Sequence, residues 1–491
     1  MPIMNNMYST SSNYHIISSP NHLIILFCFS AFLLFCFQPV FAQKKQKGKP
    51  AKQTEAVYDE RKQSVVFANG LREFFSQNYS AAAKTFQDVL AQNPKNHAAY
   101  YLLHKVAAEQ KDFLLASHYL KEAIKIDKKN EWYQIDLAGI YENLGDYVNA
   151  VKIWEEICKV KYQNEYYLMS LANNYLQLGK LPDVIKTYDK IENILGKNDD
   201  LTETKKNIWL YLNDVKSAVR EYEKLIEIYP YEIGYYIIAG EIYLSNNMPD
   251  KAFPFFYKAT QKDEENPALN LALANYYEVV KKPVESFNAL LKAFSRKELE
   301  IEEKLPVLKK YLANAFRLQT PEIFEKTEQL AQATTKAHPF DLEGWATLAK
   351  LNSLKNRYQE AKSLYEKCIA LDESQYSIWE DYFLVLSKLD DYKTIIANEK
   401  LVEEYFPANA TLQYGMALAL YKEKQFENAL KAAKQALSFT YDNIFVAELN
   451  LLLGDISIEL GQKDEAVKYW KTAQRRGINS PELQEKINTN Q

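Results

Sequence analysis

Leu137 to Ile157 reads LAGIYENLGDYVNAVKIWEEI, and Leu171 to Ile191 reads LANNYLQLGKLPDVIKTYDKI. Leucine, alanine, tyrosine, a second leucine and glycine return in the same places after an interval of thirty-four residues. The interval persists in both directions. Stepping from Ala150 by that distance gives Ala82, Ala116, Val184, Ala218, Ala252 and Ser286, all small or modest side chains. A step of forty-one then reaches Thr327. Further steps of thirty-four reach Ala361, Ile395 and Ala429, and one of thirty-seven reaches Ala466. Self-similarity at such a period predicts a stack of like supersecondary units.

Other columns keep the same phase. Four residues after the small residue stand Phe86, Leu120, Trp154, Tyr188, Tyr222, Phe256, Leu290, Tyr365 and Trp470. Seven after it stand Ala123, Ala259, Ala293, Cys368, Ala436 and Ala473, with branched aliphatics elsewhere. Nine before it stand Tyr141, Tyr175, Trp209, Tyr243 and Tyr277. Spacings of three, four and seven place such groups on one helix face. Each unit therefore reads as helix, short turn, helix. Gly145-Asp146, Gly179-Lys180, Asn213-Asp214 and Asn246-Asn247 supply the turns. Pro94, Pro230, Pro339 and Pro407 mark unit ends, where a helix has to stop. The small residues allow two helices to approach, and the large ones fill the gap beside that contact. One unit has more apolar surface than it buries alone, so it stacks on the next.

This pattern resembles the tetratricopeptide repeat. Trp345 and Leu348 match the start of its signature, Gly240 and Tyr243 its middle, and Ala252, Phe256 and Pro230 its later columns. The resemblance covers about twelve units from residue 63 to 479. It implies an all-α, right-handed superhelical solenoid. It also implies that first helices line a concave groove for a partner's protein or peptide segment. Projected onto this chain, that groove includes Tyr101, Lys105, Trp132, Ile135, Tyr166, Met169, Asn173, Glu241 and Asn275. Asparagines at the places of Asn173 and Asn275 hold a partner's backbone in related proteins. Tyr166 and Asn173 lie seven apart, and Trp132 stands one unit before Tyr166, so stacking is expected to align them in a strip. The basic clamp of chaperone-binding relatives is absent, since Phe67 and Ile135 stand at its places.

The domains follow from where the pattern runs and where it slips. Repeats occupy 63–298 and 342–479. Between them, 299–341 reads as an irregular helical repeat with a longer first helix and Pro306 in its early turns. The unit around Ile395 places Glu399 in the aromatic column, which predicts weaker stacking and a bend. Residues 480–491 read as a capping helix or tail, opening on Ser480-Pro481.

The beginning of the chain differs in kind. Residues 1–42 contain no Lys, Arg, Asp or Glu, and Leu23 to Phe37 is an almost unbroken apolar run ending before Val40-Phe41-Ala42. This predicts a secretory signal peptide cut before Gln43, hence a periplasmic or envelope protein. An uncleaved membrane anchor is the alternative. Residues 43–62 read as a basic flexible linker. Five lysines between Lys44 and Lys52 allow weak contact with a membrane or wall polymer.

The rest of the chain offers little chemistry. Net charge is −4 from 60 basic and 64 acidic residues, no electrostatic footprint for nucleic acid. No HExxH, GxSxG, Walker loop or GxGxxG occurs. His97 and His104 share a helix face without the cysteines or carboxylates of a metal site. Cys158 and Cys368 are too far apart in sequence for a metal motif. Carboxylates lie at helix-surface spacing, where solvation or local pairing is the default. The expectation is a non-enzymatic scaffold without metal or cofactor; the alternatives are an envelope assembly or secretion factor that contacts membrane or wall polymer, and a membrane-anchored adaptor if the signal is not cut.

Overall fold

The computed structural model describes residues 51–490, with side chains from Lys62 onward. The proposed signal peptide and the tether as far as Pro50 lie outside the described residues. Among the described residues every regular element is a helix. They form two compact units, divided between Val160 and Lys161.

The first unit holds α1 (Ala51–Phe75), α2 (Tyr79–Gln92), α3 (His97–Glu109), α4 (Phe113–Ile126), α5 (Glu131–Asn143) and α6 (Tyr147–Val160). The second begins with α7 (Glu165–Gln177), α8 (Leu181–Leu195), α9 (Asp199–Tyr211), α10 (Val215–Ile228), α11 (Ile233–Ser245), α12 (Pro249–Thr260), α13 (Pro267–Val279) and α14 (Pro283–Phe294). It continues with α15 (Ile301–Leu318), α16 (Pro321–Ala337), α17 (Leu342–Leu354), α18 (Tyr358–Leu371) and α19 (Tyr376–Lys388). Then come α20 (Tyr392–Ala397), α21 (Glu399–Tyr405), α22 (Ala410–Lys422), α23 (Phe426–Ser438), α24 (Asn443–Glu459), α25 (Lys463–Arg475) and α26 (Pro481–Asn490). Within each unit most consecutive helices pack on one another, except that α14 rests on α16 and α22 rests on α19 and α20.

The small column is the core. Ala82, Ala116, Ala150, Val184, Ala218, Ala252, Thr327, Ala361, Ile395, Ala429 and Ala466 are all fully covered. The large residues beside them, from Phe86 to Trp470, are buried too. Three second-helix rings, Phe86, Phe256 and Trp470, need a missing Cβ on the first helix, at Gly70, Gly240 and Gly454. A methyl group at Gly240 would stand 2.5 Å from the Phe256 ring, and one at Gly454 would collide with Trp470.

The turns inside the repeats share one geometry. A single residue takes left-handed backbone at Gln77, Lys111, Gly145, Gly179, Asn213, Asn247, Lys281, Asn356, Asp390, Lys424 and Gly461. The next residue then donates its N–H back to the first helix, as from Asp112 to the Ala107 carbonyl at 2.9 Å and from Lys282 to Tyr277 at 2.8 Å. This is the Schellman closure of a helix C-terminus. Glycine and asparagine reach that backbone cheaply, whereas Gln77, Lys111, Lys281 and Lys424 adopt it at a cost.

Three regions depart from the plain repeat. Helix α1 begins at Ala51, so the linker expected over 43–62 is helical in its described part. The reason lies in Ala51, Lys52, Gln53, Glu55 and Ala56, strong helix formers just past Pro50. In 299–341 the helices lengthen to 18 and 17 residues, with Pro306 inside α15. In the unit around Ile395 the second helix is split into α20 and α21 at Asn398. Beyond α25, Ser480 accepts the Leu483 N–H at 3.1 Å and α26 follows. Leu483 and Ile487 of α26 are buried in the cluster of Ala466, Trp470 and Ala473. Its other residues stand toward solvent or are half-covered. No helix of the described residues is long and apolar enough to cross a membrane.

Candidate protein-binding face

In the first unit the face of α3 and α5 is partly consumed by the fold. Tyr101 is half-buried and stacks on Tyr133 with ring centroids 4.8 Å apart and planes at 27°. The Lys105 ammonium lies 5.2 Å from the Tyr101 ring centroid and 2.7 Å from Oδ2 of Asp136. Nε2 of His104 approaches the same carboxylate at 3.5 Å. Burial opposes ionisation of Asp136, but His104 and Lys105 outweigh it and hold the carboxyl far below the usual carboxylate range. Burial also lowers His104, which is only 1% exposed. His97 Nδ1 lies 2.8 Å from the Tyr133 hydroxyl. Lys105, expected in a partner groove, is therefore engaged by Asp136. Ile135 is half-buried, and Trp132 stands out with 53% of its surface exposed.

In the second unit the expected residues are less committed. Tyr166, Met169 and Asn173 share one face of α7 by their spacing, and all three are exposed, Tyr166 by 53%. Glu241 on α11 and Asn275 on α13 are exposed at the same place in their own repeats. Desolvation by surrounding protein nevertheless raises the Glu241 carboxyl. The amides of Asn173 and Asn275 offer both donors and an acceptor.

A buried ionic cluster in the same unit departs from the expectation that carboxylates line solvated helix surface. Lys205 of α9 is fully covered, and its ammonium touches Asp189 at 2.5 Å, Glu192 at 3.0 Å and Glu221 at 2.8 Å. Lys197 bridges Glu192 and Glu221 at 2.8 Å each, and Lys224 adds a contact to Glu221 at 2.9 Å. Burial works against the Glu221 carboxylate, but Lys197, Lys205 and Lys224 bring its pKa down to about 2. Oxygens of Asp189, Glu192 and Glu221 converge within 4.8 Å, a spacing that suits a metal ion. Lys205 already supplies the positive charge there, so the trio works as an internal ion network joining α8, α9 and α10. In sequence, its lysines and glutamates look like ordinary helix surface.

The geometry of paired helices, a small-residue seam and left-handed turns recurs through both units. Residues 67–131 match one tetratricopeptide repeat model, and residues 342–375 and 447–476 match another. The chain carries tetratricopeptide repeats. Repeats that stack in this way generate extended surfaces for other proteins. No curated protein sequence matches the chain. Among solved structures it is similar to the Naa15/Naa10 complex bound to HypK-THB, at 13% identity over 87% of this chain and 75% of that one, with a TM-score of 0.38. It is also similar to yeast Tom70, at 13% identity over 88% and 95% with a TM-score of 0.30. MamA 41-end from Desulfovibrio magneticus RS-1 matches at 17% identity over 35% and 95% with a TM-score of 0.31.

Proposed function

We propose that this protein is a non-catalytic interaction scaffold of a bacterial cell envelope, which receives partner protein segments on the face of its first helices. The observation that carries this reading is that aromatic and amide side chains are left unburied by the packing in each unit: Trp132 in the first, and Tyr166, Asn173 and Asn275 in the second. Exposed aromatic anchors with a few convergent polar groups are the usual means of gripping a protein segment. The envelope location rests on the uncharged apolar stretch before Gln43.

The variant Trp132→Ala with Tyr166→Ala tests the face. Partner capture from envelope extract should weaken by roughly 2 kcal/mol or more, as truncated hot spots do. Helix content should hold, because neither residue lies in a packing column. Capture that survives in the folded double variant overturns the assignment. The envelope placement has its own check: the mass of the native protein should correspond to a chain starting at Gln43, and retention of residues 23–42 rejects cleavage.

A further inference from the structure

One position on the first helices behaves differently along the stack. It lies eleven residues before each small-column residue and holds Lys105, Asn173, Asn207, Glu241, Asn275 and Lys350 in their respective repeats. Where it carries a lysine, the fold supplies a counter-charge thirty-one residues on. Lys105 pairs with Asp136 at 2.7 Å, and Lys350 pairs with Asp381 at 3.3 Å. The same step from Glu241 reaches Ala272, which is buried and apolar. Among the described residues Glu241 has no ion pair and no hydrogen bond, although protein close around it disfavours its charge. A carboxylate set in such surroundings is worth most when a ligand brings the missing cation.

The neighbours of Glu241 in this column are amides. Asn173 and Asn207 precede it by two repeats and one, and Asn275 follows by one. The Asn207 amide is tied to Glu203 at 3.4 Å, while the side chains of Asn173 and Asn275 are exposed and make no hydrogen bond to another described residue. The column therefore presents amide, amide, carboxylate, amide along α7, α9, α11 and α13. Amides match the alternating donors and acceptors of an extended backbone, and the carboxylate matches a guanidinium or ammonium. We infer that the second unit selects partner segments carrying an arginine or lysine, which Glu241 receives while Asn173 and Asn275 hold the backbone. This rests on the reading of the first helices as the binding face and adds the charge of the partner.

The full-length chain and an array of short extended peptides provide the test. Each position is fixed in turn as arginine, as citrulline (its neutral isostere) or as glutamate. Wild type should favour arginine over citrulline at one position by about tenfold or more, the value of a charge-assisted hydrogen bond. That ratio should fall to near parity in Glu241→Gln. In Glu241→Lys the favoured residue at that position should become glutamate. Asn173→Ala with Asn275→Ala should weaken all members alike and leave the ratio intact. If the array binds wild type, loses binding in Trp132→Ala with Tyr166→Ala, but shows no basic preference sensitive to Glu241, the inference is wrong and the binding face stands. If wild type binds the array no better than that aromatic double variant does, both are wrong.

Discussion

In the repeat formed by α11 and α12 the ring beside the small column belongs to the second helix, while the first buries Tyr236. Phe256 is fully covered and lies over Gly240, with Ala252 and Ala259 one turn to either side. In the repeat formed by α19, α20 and α21 the bulk sits on the first helix instead. Trp379, Tyr382 and Phe383 are buried there, and the Phe383 ring packs where a Cβ on Gly415 would stand 2.9 Å away. The second helix of that repeat buries only Ile395 and Val402 in the same columns, and Glu399 between them faces solvent. A helix gains most of its stability from an apolar face packed on a neighbour. Deprived of its central anchor, this one divides into pieces of 6 and 7 residues, and the Asn398 amide takes the Thr394 carbonyl at 2.8 Å. Here the first helix supplies the bulk that the second lacks, and the second, with Glu399 in place of a ring, is interrupted. Loss of the ring alone does not break a helix, since α16 and α23 carry Ala331 and Ala433 in that column and run unbroken.

The comparison breaks most sharply at the two equivalent positions. Phe256→Ala should cost about 3 to 5 kcal/mol, the range for a buried ring removed from a core. Glu399→Ala, in the same column, should shift stability by less than about 0.5 kcal/mol. Denaturant midpoints measure both, and similar shifts would erase the distinction.

The other irregular repeat adds a pH-dependent contrast. Lys304 is fully covered and donates to the Phe294 carbonyl at 3.0 Å and the Arg296 carbonyl at 2.8 Å, where α14 has ended. Burial lowers its pKa to about 8, against partial support from Glu298 and Glu300. The unfolded chain holds that proton up to about 10.4. Between those values the unfolded state binds more protons, so stability rises with pH. Relative to Lys304→Met, wild type should gain about 2 kcal/mol between neutrality and about pH 9.5. A flat difference curve would mean that the ammonium is not held in a desolvated place.

The smallest effect concerns the turns that every repeat shares. Lys281 has φ of 60°, a conformation that an L side chain adopts at a cost. Lys281→Gly should stabilise by about 0.5 to 1 kcal/mol, read from the thermal midpoint. A loss would show that the turn is not left-handed in solution.

The packing columns were legible because helix period and repeat period reinforce each other at every unit, from Ala82 to Ala466. The half-repeat turns were legible only where glycine or asparagine marks them. Gln77, Lys111 and Lys424 adopt the same backbone through the closure made around them, and their side chains carry no sign of it. On the candidate face, exposure was legible for Trp132 and Tyr166 because they avoid every packing column. The engagement of Lys105 was not, because Asp136 belongs to the next repeat. The cluster around Lys205 was hidden for a like reason: Asp189, Glu192 and Glu221 come from two other helices, and charged residues are a quarter of the composition.

Helix α26 has a consequence for assembly. In a stack, each second helix presents the seat on which another first helix rests, and nothing in that seat distinguishes a helix of the same molecule from one of a neighbour. Contacts of that head-to-tail kind do not close on themselves and grow into fibres. By resting Leu483 and Ile487 on Trp470 and turning Glu482, Gln484, Glu485 and Asn488 outward, α26 occupies the seat of α25 with a surface that water prefers. A helix so placed covers that apolar seat, and removal of α26 should expose it and promote head-to-tail association.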